Sequence, residues 1–404
     1  MSSQKLSILF LGTTKFDGSD QSTSFSIARE LAKNNAVYYI DYPFTFRDCF
    51  RAKNKQQLKS RWSFFSPFSG RVIESDSGLK IIILPPLLSI NFLKEGQLYR
   101  KLLKFNELVI RLKLKQVLKN HGISDYVYFN SFNFHYPGVT EGLKPALEIY
   151  HCVDPMIMPY DKKHGIVSEK VLVKNSDLVI CTSRQLYNEK KELNANTYFV
   201  PNAADSNYFN KTFDKATITD PRITAIPKPI IGYIGTIERR MDYKLIRDVA
   251  EQNLDKSFVF VGPKNEDYIP EWFRSIQNVH LMGPVTYDET PSVLKGFDVA
   301  IIPFTKDEVS ASIFPLKLFE YLASGKPVVA TDFNPDLREF TGNTVTFCDG
   351  AFAFSKALNE ALINDNDDKR LNRLEISRKN TWETRAADIE KLIEMHLSNS
   401  KPSS

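Results

Sequence analysis

A polar loop that runs into a short apolar helix is the part of this sequence best suited to chemistry. The stretch Ser310–Thr331 reads SASIFPLKLFEYLASGKPVVAT. Apolar residues recur at helical spacing from Leu316 to Leu322, and Gly325 followed by Pro327 is a stop signal for a helix. The amino end of a helix carries N–H groups without intrahelical acceptors and the positive end of the helix dipole, so this loop is suited to a phosphate.

Two apolar runs must hold this helix in position. Val299–Pro303 lies directly upstream, and Val328–Ala330 follows the helix. Short continuous apolar runs are typical of strands that are buried on both faces. The sequence therefore predicts a βαβ unit whose polar loop lies at the amino end of the helix.

The whole chain repeats this alternation of strands and helices, which predicts parallel, doubly wound sheets. The predicted strands are 6–11, 36–41, 79–84, 126–130, 148–151, 178–182 and 197–200 in the first half, then 230–234, 258–261, 279–281, 299–303, 328–330 and 345–347. Between the two series the pattern weakens into Asp, Asn, Thr and Pro, as in an interdomain linker. We expect a first domain over 1–205, a linker over 206–229 and a second domain over 230–380, with a closing helix over 381–397 that packs back on the first domain.

Composition and charge narrow the class of protein. The chain has 404 residues with 42% hydrophobic content, enough for two cores, and its formal charge of +5 comes with no recognisable nucleic-acid module. The four cysteines show no paired spacing, which indicates reduced thiols and a cytosolic protein, with Cys152 and Cys181 buried. The amino end runs directly into a strand, so we expect no export signal, and no segment approaches the ~20 apolar residues of a membrane span.

The segment Arg47–Arg71 is basic and rich in aromatic residues. Its basic side chains are Arg47, Arg51, Lys53, Lys55, Lys59, Arg61 and Arg71, against one acid, Asp48. Such a segment can lie on anionic lipid headgroups, so peripheral membrane contact is one interpretation. The alternative is a solvated excursion whose aromatic residues pack on the first domain. A helix predicted over 102–120 also has a basic polar face, and we expect its leucines, including Leu108 and Leu112, to be mostly core, with membrane contact of this helix as the alternative.

Several motifs follow one another along the chain. They are NSDLVICTS at 175–183, VPNAAD at 200–205, GYIG at 232–235, FVGP at 260–263, NVHLMG at 278–283, FDVAIIPF at 297–304 and PLKLFEYLASGKPVVA at 315–330. Together they resemble the GT-B nucleotide-sugar glycosyltransferases, most closely the retaining branch that builds bacterial surface polysaccharides, including the teichuronic-acid type. The resemblance leaves out residues 42–125. It implies an α/β GT-B fold, with two doubly wound Rossmann-like domains facing across a cleft.

The resemblance implies a donor site around the opening stretch. The family has two glutamates separated by seven residues, and Glu320 takes the place of the second, which contacts the donor's ribose hydroxyls. A carboxylate suits this role because it accepts two hydrogen bonds from a vicinal diol. The first glutamate's place falls on Ser312, which offers only a neutral hydroxyl.

A second departure from the family pattern lies at Pro315, where the usual residue is a glycine. Proline has no N–H to give a phosphate. Our hypothesis is that the ammonium of Lys317, on the first turn of the helix, supplies the missing positive charge to the donor diphosphate; a solvated surface lysine is the alternative. Phe314 and Leu316 are included in the predicted donor site.

The family also carries basic residues after the first strand of this domain. Arg239 and Arg240, which follow Gly235, are candidates to bind the phosphates, with an exposed pair at a helix start as the alternative. By resemblance, the nucleobase would lie near Lys264 and Gly283.

The acceptor is expected in the first domain. Some GT-B enzymes place a histidine near the transferred sugar, and His135 and His151, the latter with Asp154, both follow predicted strands, where parallel sheets bind ligands. A packed or capping histidine is the alternative for each. The loop Gly12-Thr13-Thr14 lacks a dinucleotide fingerprint but lines the predicted acceptor side by topology.

The combination predicts a glycosyltransferase that moves a sugar from a UDP- or GDP-linked donor to a lipid-linked or glycan acceptor. The nucleotide sugar is a substrate, and the resemblance implies neither a cofactor nor a metal. We expect a cytoplasmic protein, with the inner face of the membrane as a possible location, and no nucleic-acid partner. A nucleotide-sugar epimerase on the same fold and an inactive nucleotide-sugar-binding or scaffold module are the alternatives, the latter because of Ser312.

Overall fold

The chain forms two compact units. The computed structural model describes residues 5–18, 22–51 and 54–400. One unit combines Met1–Pro201 with Ala386–Ser404, and the other is Asn202–Arg385. Each unit is an α/β structure with its own sheet.

The first unit is built on a sheet of eight strands among the described residues. They are β1 (Ser7–Leu11), β2 (Ala36–Ile40), β3 (Ile73–Glu74), β4 (Lys80–Ile82), β5 (Val127–Ser131), β6 (Leu147–Cys152), β7 (Leu178–Cys181) and β8 (Thr197–Phe199). Their order is β3-β4-β2-β1-β5-β6-β7-β8, and every pairing is parallel except that of β3 with β4. Its helices are α1 (Thr23–Asn34), α2 (Phe46–Cys49), α3 (Lys55–Arg61), α4 (Gln97–Asn120), α5 (Pro159–Asn175) and α6 (Arg184–Lys191).

The second unit has six parallel strands in the order β11-β10-β9-β12-β13-β14. They are β9 (Ile230–Ile234), β10 (Ser257–Val261), β11 (Val279–Met282), β12 (Val299–Ile302), β13 (Val328–Thr331) and β14 (Val345–Cys348). The helices are α7 (Ser206–Phe209), α8 (Pro221–Thr224), α9 (Tyr243–Glu251), α10 (Thr290–Gly296), α11 (Glu308–Ala311), α12 (Leu316–Ala323), α13 (Leu337–Thr341), α14 (Gly350–Ile363) and α15 (Asp367–Lys379). The last helix, α16 (Trp382–Ser400), begins in the second unit and belongs to the first unit from Ala386 onward.

All of the strands predicted from the sequence form. A nearly continuous apolar run buries both of its faces when its strand lies in a sheet between two layers of helices. The antiparallel strand β3 was missed, since its two residues carry no periodicity. The structure differs at 206–229: this stretch belongs to the second unit, where Phe209 and Ile223 are buried, although Phe213 and Ile218 are exposed. The end of the closing helix lies with the first unit, where Glu390 accepts a 2.6 Å hydrogen bond from Asn35 Nδ2.

Helix α4 departs from the expected packing. Leu103, Leu114 and Leu118 are buried as predicted, but Leu108 and Leu112 are exposed, contrary to the prediction that they belong to the core.

In the described part of the chain, no helix combines the length and the apolar composition that crossing a membrane requires. The four cysteines are free thiols, and Cys152 and Cys181 are buried as expected.

The basic segment Arg47–Arg71 is partly folded into the first unit; Lys53 lies outside the described residues. Arg61 is 1% exposed, and its guanidinium forms ion pairs with Asp17 at 2.6 Å and Asp41 at 3.0 Å. Burial alone would raise the pKa of Asp17, but the hydrogen bond and charge of Arg61 outweigh it and hold that pKa below its usual value. Burial dominates at Asp41 and raises its pKa despite Arg61. Arg61 is therefore structural and is not available to lipid.

Replacing Arg61 should destabilise the first unit. Arg61→Met leaves Asp41 buried without its cation, so we expect the free energy of unfolding to fall by about 3 kcal/mol, measured by urea unfolding. Arg51→Met is the matched control, because Arg51 is 3.5 Å from Asp48 with both side chains partly exposed. Its effect should stay below about 1 kcal/mol. Equal losses in the two variants would contradict this assignment.

Candidate functional site

The second sheet reverses its strand order between β9 and β12. Strands β10 and β11 lie on one side of this point, and β13 and β14 lie on the other. Open parallel sheets bind ligands outside the carboxyl ends of their strands at such a point, because the flanking loops diverge there. Residues that follow Ile234 and Ile302, the ends of β9 and β12, therefore form the candidate site.

Backbone hydrogen bonds tie the loops after β9, β10 and β12 together. They run from Gly235 N to Val261 O (2.9 Å), Ile237 N to Pro263 O (2.8 Å), Asp242 N to Pro303 O (2.8 Å) and Thr305 N to Arg240 O (2.8 Å). Because these backbone hydrogen bonds join each loop to its neighbours, they fix the backbone conformation of the candidate site.

Two glycines allow this close approach. Gly262 has φ 147°, and a Cβ there would lie 2.2 Å from the carbonyl oxygen of Gly235. Gly235 has φ 148°, and a Cβ there would lie 2.9 Å from Cε of Lys317. A side chain is excluded at Gly262 by the backbone contact and by the backbone conformation, and it is disfavoured at Gly235 by the backbone conformation. The stem of Lys317 therefore passes directly beside Gly235.

Helix α12 is fixed to the end of β9 by a buried tyrosine. The hydroxyl of Tyr321 accepts a hydrogen bond from Ile234 N at 2.8 Å and donates to Ile234 O at 3.3 Å. Leu318 and Leu322 are fully buried on the same helix. These contacts bring the first turn of α12 to the loop after β9.

The loop before α12 is held by two asparagines. Asn202 Nδ2 donates to Phe314 O at 2.7 Å, and Asn334 Nδ2 donates to Ile313 O at 2.9 Å. Asn334 is fully buried, so its hydrogen bonds are made away from water, where leaving a carbonyl unpaired is unfavourable. The loop conformation is thus determined by side chains that are distant in sequence.

Ser312 and Phe314 have structural contacts. The buried hydroxyl of Ser312 donates to Val309 O at 2.7 Å, at the end of α11. Phe314 is buried, and its ring stacks on Phe319 with a centroid distance of 5.8 Å. Pro315 is the N-cap of α12, directly before its first turn. Leu316 begins the helix and is half-buried.

Lys317 and Glu320 are brought together on α12. Lys317 Nζ lies 5.1 Å from the ring centroid of Tyr233 and 5.3 Å from that of Phe304, so aromatic faces flank the ammonium. Removal of water raises the pKa of the half-buried Glu320 carboxyl to about 7, although the charge of Lys317 opposes the shift. The arrangement combines a cation with a carboxyl group that changes its ionisation near neutral pH.

The other predicted donor residues differ in their surroundings. Arg240 forms an ion pair with Glu238, and Arg239 lies 3.8 Å from Asp307. Both arginines therefore already face carboxylates, and both are only partly exposed. Lys264 and Gly283 are exposed after β10 and β11.

His151 in the first unit is buried. Its side chain is fully buried, and Nδ1 lies 3.0 Å from Ser131 Oγ. Within the described residues Nε2 has no hydrogen-bond partner, so it is not bonded to Asp154, which is half-buried after β6. Burial lowers the pKa of His151 to about 3, which keeps the ring neutral. The ring packs edge-on against Phe129, with centroids 5.7 Å apart, and the catalytic role expected for it stays a prediction.

His135 retains some exposure. Its side chain is 19% exposed, and Nε2 lies 4.0 Å from Asp161 Oδ1. Burial, together with the nearby His164, lowers the pKa of His135 to about 4, so the imidazole is neutral at physiological pH. A neutral imidazole can still donate or accept a hydrogen bond.

The loop after β1 is tied to its neighbours. Gly12 O accepts a 3.0 Å hydrogen bond from Asn133 Nδ2, and a Cβ on Gly12 would lie 2.3 Å from the hydroxyl of Tyr39. Thr14 Oγ1 lies 3.1 Å from the same hydroxyl, and Thr13 is half-buried. Only a glycine fits at position 12 without displacing Tyr39.

Residues 228–364 match the family model described as Glycosyl transferases group 1. This range contains Gly235, Lys317 and Glu320, so it includes the candidate site of the second unit. These residues form a group 1 glycosyltransferase domain.

The chain is also 32% identical over 202 residues to a Bacillus subtilis (strain 168) protein, TuaH, which is named as a teichuronic acid biosynthesis glycosyltransferase. The alignment covers 46% of this chain and 50% of TuaH, so the chain spans about half the length of this curated relative. The glycosyltransferase domain and the match to TuaH both agree with the resemblance inferred from the sequence motifs.

Two solved structures match this chain over nearly its whole length. Sucrose-phosphate synthase (tll1590) from Thermosynechococcus elongatus has a TM-score of 0.65 at 15% identity, covering 98% of this chain and 100% of that one. Anabaena Alr3699/HepE in complex with UDP and glucose has a TM-score of 0.62 at 14% identity, covering 96% of this chain and 100% of that one. At these identities the likeness concerns the fold, and it confirms the predicted GT-B fold class.

Sequence reasoning missed residues that shape the glycosyltransferase domain without reaching its surface. Asn334 and Tyr321 are the clearest examples, since each bonds to a backbone group far away in sequence. An asparagine before Pro335 does signal a turn, but nothing in the sequence indicates that its amide holds Ile313.

The raised pKa of Glu320 should make the stability of this domain depend on pH. The carboxyl titrates near 7 in the folded chain and near 4.5 when unfolded, so its ionisation destabilises the folded state increasingly as pH rises between these values. Glu320→Gln removes this effect. Relative to the unmodified protein, the variant should gain stability as pH rises from about 4.5 to 7, by roughly 3 kcal/mol at most.

Urea unfolding at several pH values measures this difference. Glu360→Gln, at an exposed carboxyl on α14, is the matched control. If the difference in the free energy of unfolding between Glu320→Gln and the unmodified protein stayed constant with pH, the raised pKa of Glu320 would be contradicted.

Proposed function

We propose that this protein is a glycosyltransferase that moves a sugar from a UDP- or GDP-linked donor to a lipid-linked or glycan acceptor in cell-surface polysaccharide biosynthesis. One observation carries the proposal: within a group 1 glycosyltransferase domain, α12 brings Lys317 and Glu320 to the strand-order reversal of the sheet. The naming of TuaH for teichuronic acid biosynthesis and the complex of HepE with UDP and glucose support the substrate class.

The donor would be held through its ribose and its diphosphate. An ionised Glu320 can accept two hydrogen bonds from the ribose diol, and the Lys317 ammonium can pair with the diphosphate at the positive end of α12. As the bond to the sugar breaks, negative charge grows on the leaving diphosphate. A fixed cation beside Gly235 stabilises that charge more than it stabilises the intact donor, which lowers the barrier. Metal-independent transfer with retention of configuration is part of this proposal.

The nucleobase would lie near the exposed Lys264 and Gly283, and the acceptor in the first unit, near His135 and the partly exposed Thr13. Because His135 is neutral, its contribution would be a hydrogen bond and not a charge. A lipid-linked acceptor suits a location at the cytoplasmic face of the membrane.

Ser312 favours a second candidate, an inactive module that binds nucleotide sugars. Its hydroxyl already donates to Val309 O, so it is a poor substitute for a carboxylate facing the transferred sugar. Calorimetry with UDP, GDP and their sugars, followed by measurement of donor hydrolysis and transfer, separates the candidates. Turnover supports the transferase, whereas tight donor binding without turnover favours the binding module.

Removing the charge of Lys317 should weaken diphosphate binding. For Lys317→Ala, we expect the dissociation constant of the nucleoside diphosphate to rise about tenfold to a hundredfold, because a charge-assisted hydrogen bond contributes about 1.5–3 kcal/mol. Affinity for the free nucleoside, which has no phosphate, should not change. Calorimetry with both ligands measures the difference.

The matched control is Lys244→Ala, at an exposed lysine on α9 of the same unit. Glu320→Gln is the complementary variant. It should weaken the binding of the nucleoside diphosphate but leave the binding of its 2′,3′-dideoxy analogue unchanged. Equal weakening of diphosphate and nucleoside by Lys317→Ala would contradict the role assigned to this lysine.

A further inference from the structure

Most of the acidic side chains on helices α4 and α5 of the first unit are buried. Within Gln97–Asn120, all of which the structure describes, there are seven lysines and arginines and a single acid, Glu107. Glu107 is buried and accepts a 2.6 Å hydrogen bond from Gly138 N. In α5, Glu169 accepts hydrogen bonds from Tyr150 Oη and Lys190 Nζ, both at 2.8 Å. Of the acids on these two helices, only the side chain of Asp161 has appreciable exposure.

The same helices turn apolar side chains outward. On α4, Leu98 is 61% exposed and Phe105 is 52% exposed, and Leu108 and Leu112 continue the same stripe. On α5, Ile166 is 59% exposed. A surface helix normally has a single apolar stripe that faces the core, but α4 carries exposed apolar residues in addition to its buried Leu103 and Leu114. Contiguous exposed apolar surface of this kind marks an interaction site.

Lysines are interleaved with the apolar residues. The exposed lysines are Lys101, Lys104, Lys115 and Lys119 on α4, and Lys162, Lys163, Lys170 and Lys174 on α5. On α4 the exposed side chains recur every three or four residues from Leu98 to Lys119, a stripe of about 30 Å. Cationic and apolar groups on one face, without exposed carboxylates on α4, are complementary to an anionic lipid surface.

Direct contacts hold the two helices side by side. Arg100 of α4 donates to Ser168 Oγ of α5 at 2.9 Å, and the rings of Tyr99 and His164 stack with centroids 3.6 Å apart. Lys163 Nζ donates to Phe92 O at 3.1 Å, which fixes the exposed Phe92 beside α5. The exposed sides of α4 and α5, which we call the helix face, are therefore neighbouring parts of one unit.

We propose that the helix face is a membrane-docking surface that binds anionic phospholipid headgroups through its lysines and inserts its apolar side chains at the interface. The proposal adds the helix face to the contact expected through Arg47–Arg71, in which Arg61 is buried. Lys113 is likewise buried and donates to Phe64 O at 2.9 Å, so it holds that segment against α4. The proposal does not depend on the transfer reaction.

The test uses the full chain and flotation with vesicles. We expect binding to equimolar phosphatidylglycerol and phosphatidylcholine, weak binding to phosphatidylcholine alone, and loss of affinity at high salt. The triple variant Lys101→Gln, Lys104→Gln, Lys115→Gln should weaken binding about a hundredfold, at about fivefold per lysine. The triple variant Lys356→Gln, Lys369→Gln, Lys379→Gln removes the same charge from exposed positions in the second unit and should have little effect.

A second pair of variants tests insertion. Phe105→Ser with Leu108→Ser should reduce vesicle binding, whereas Phe352→Ser with Ile363→Ser, at exposed apolar positions of α14, should not. Phe105→Trp should give emission that is quenched by brominated lipid, and Phe352→Trp should not. Thermal unfolding of each variant checks that the chain remains folded.

Three results would overturn the proposal. They are equal weakening by both lysine triples, absence of vesicle binding by the unmodified chain, and self-association in sedimentation experiments that the α4 variants abolish, which would assign the helix face to a second copy of the chain. Since no sugar donor is present in these experiments, each result leaves the proposed transferase activity unaffected.

Discussion

The candidate site of the second unit depends on the contact between the backbones of Gly235 and Gly262. A Cβ on Gly262 would lie 2.2 Å from the Gly235 carbonyl oxygen, so any side chain there would force the loops after β9 and β10 apart. Separation would break the hydrogen bonds that continue along both loops. It would also move Gly235 relative to Lys317, whose position is set independently by the bonds between Tyr321 and Ile234. The position of the Lys317 ammonium relative to the loops after β9 and β10 thus depends on the two glycines.

Ionisable groups in the first unit follow one rule. An ion without a partner is unfavourable in a region that water does not reach, so buried charged groups are paired or hydrogen-bonded. Arg61 lies between Asp17 and Asp41, Glu169 binds Lys190, and Glu107 binds a backbone amide. Because these acids are used inside, the outer faces of α4 and α5 are left with lysines and apolar side chains. The pairing of buried acids inside the first unit and the basic character of the outer faces of α4 and α5 therefore have the same origin.

Particular residues show how far the sequence could be interpreted. The strands were predictable because apolar runs bounded by turn residues leave few other structures, and Glu320 was located through its motif. Ser312 and His151 were placed at the correct points of the fold, yet both are buried with their own hydrogen bonds. Whether a side chain at a strand end points to solvent or to the interior depends on strand alternation and on what packs above it. Similarly, Leu108 and Leu112 satisfy a core pattern on α4 but lie on its exposed side.

The amino-acid sequence by itself determined the α/β class, the order of the strands along the chain, the βαβ unit around α12 and the group 1 motifs. These are local properties, because periodicity, turn residues and motif spacing act over a few residues. The tertiary structure alone decided that Asn202 and Asn334 hold the loop before α12, that Arg239 and Arg240 face carboxylates, and that 206–229 belongs to the second unit. It also decided that the pKa of Glu320 lies near 7, because that value reflects the exclusion of water by neighbouring elements. Such properties join residues far apart in sequence, and only the packed chain brings them together.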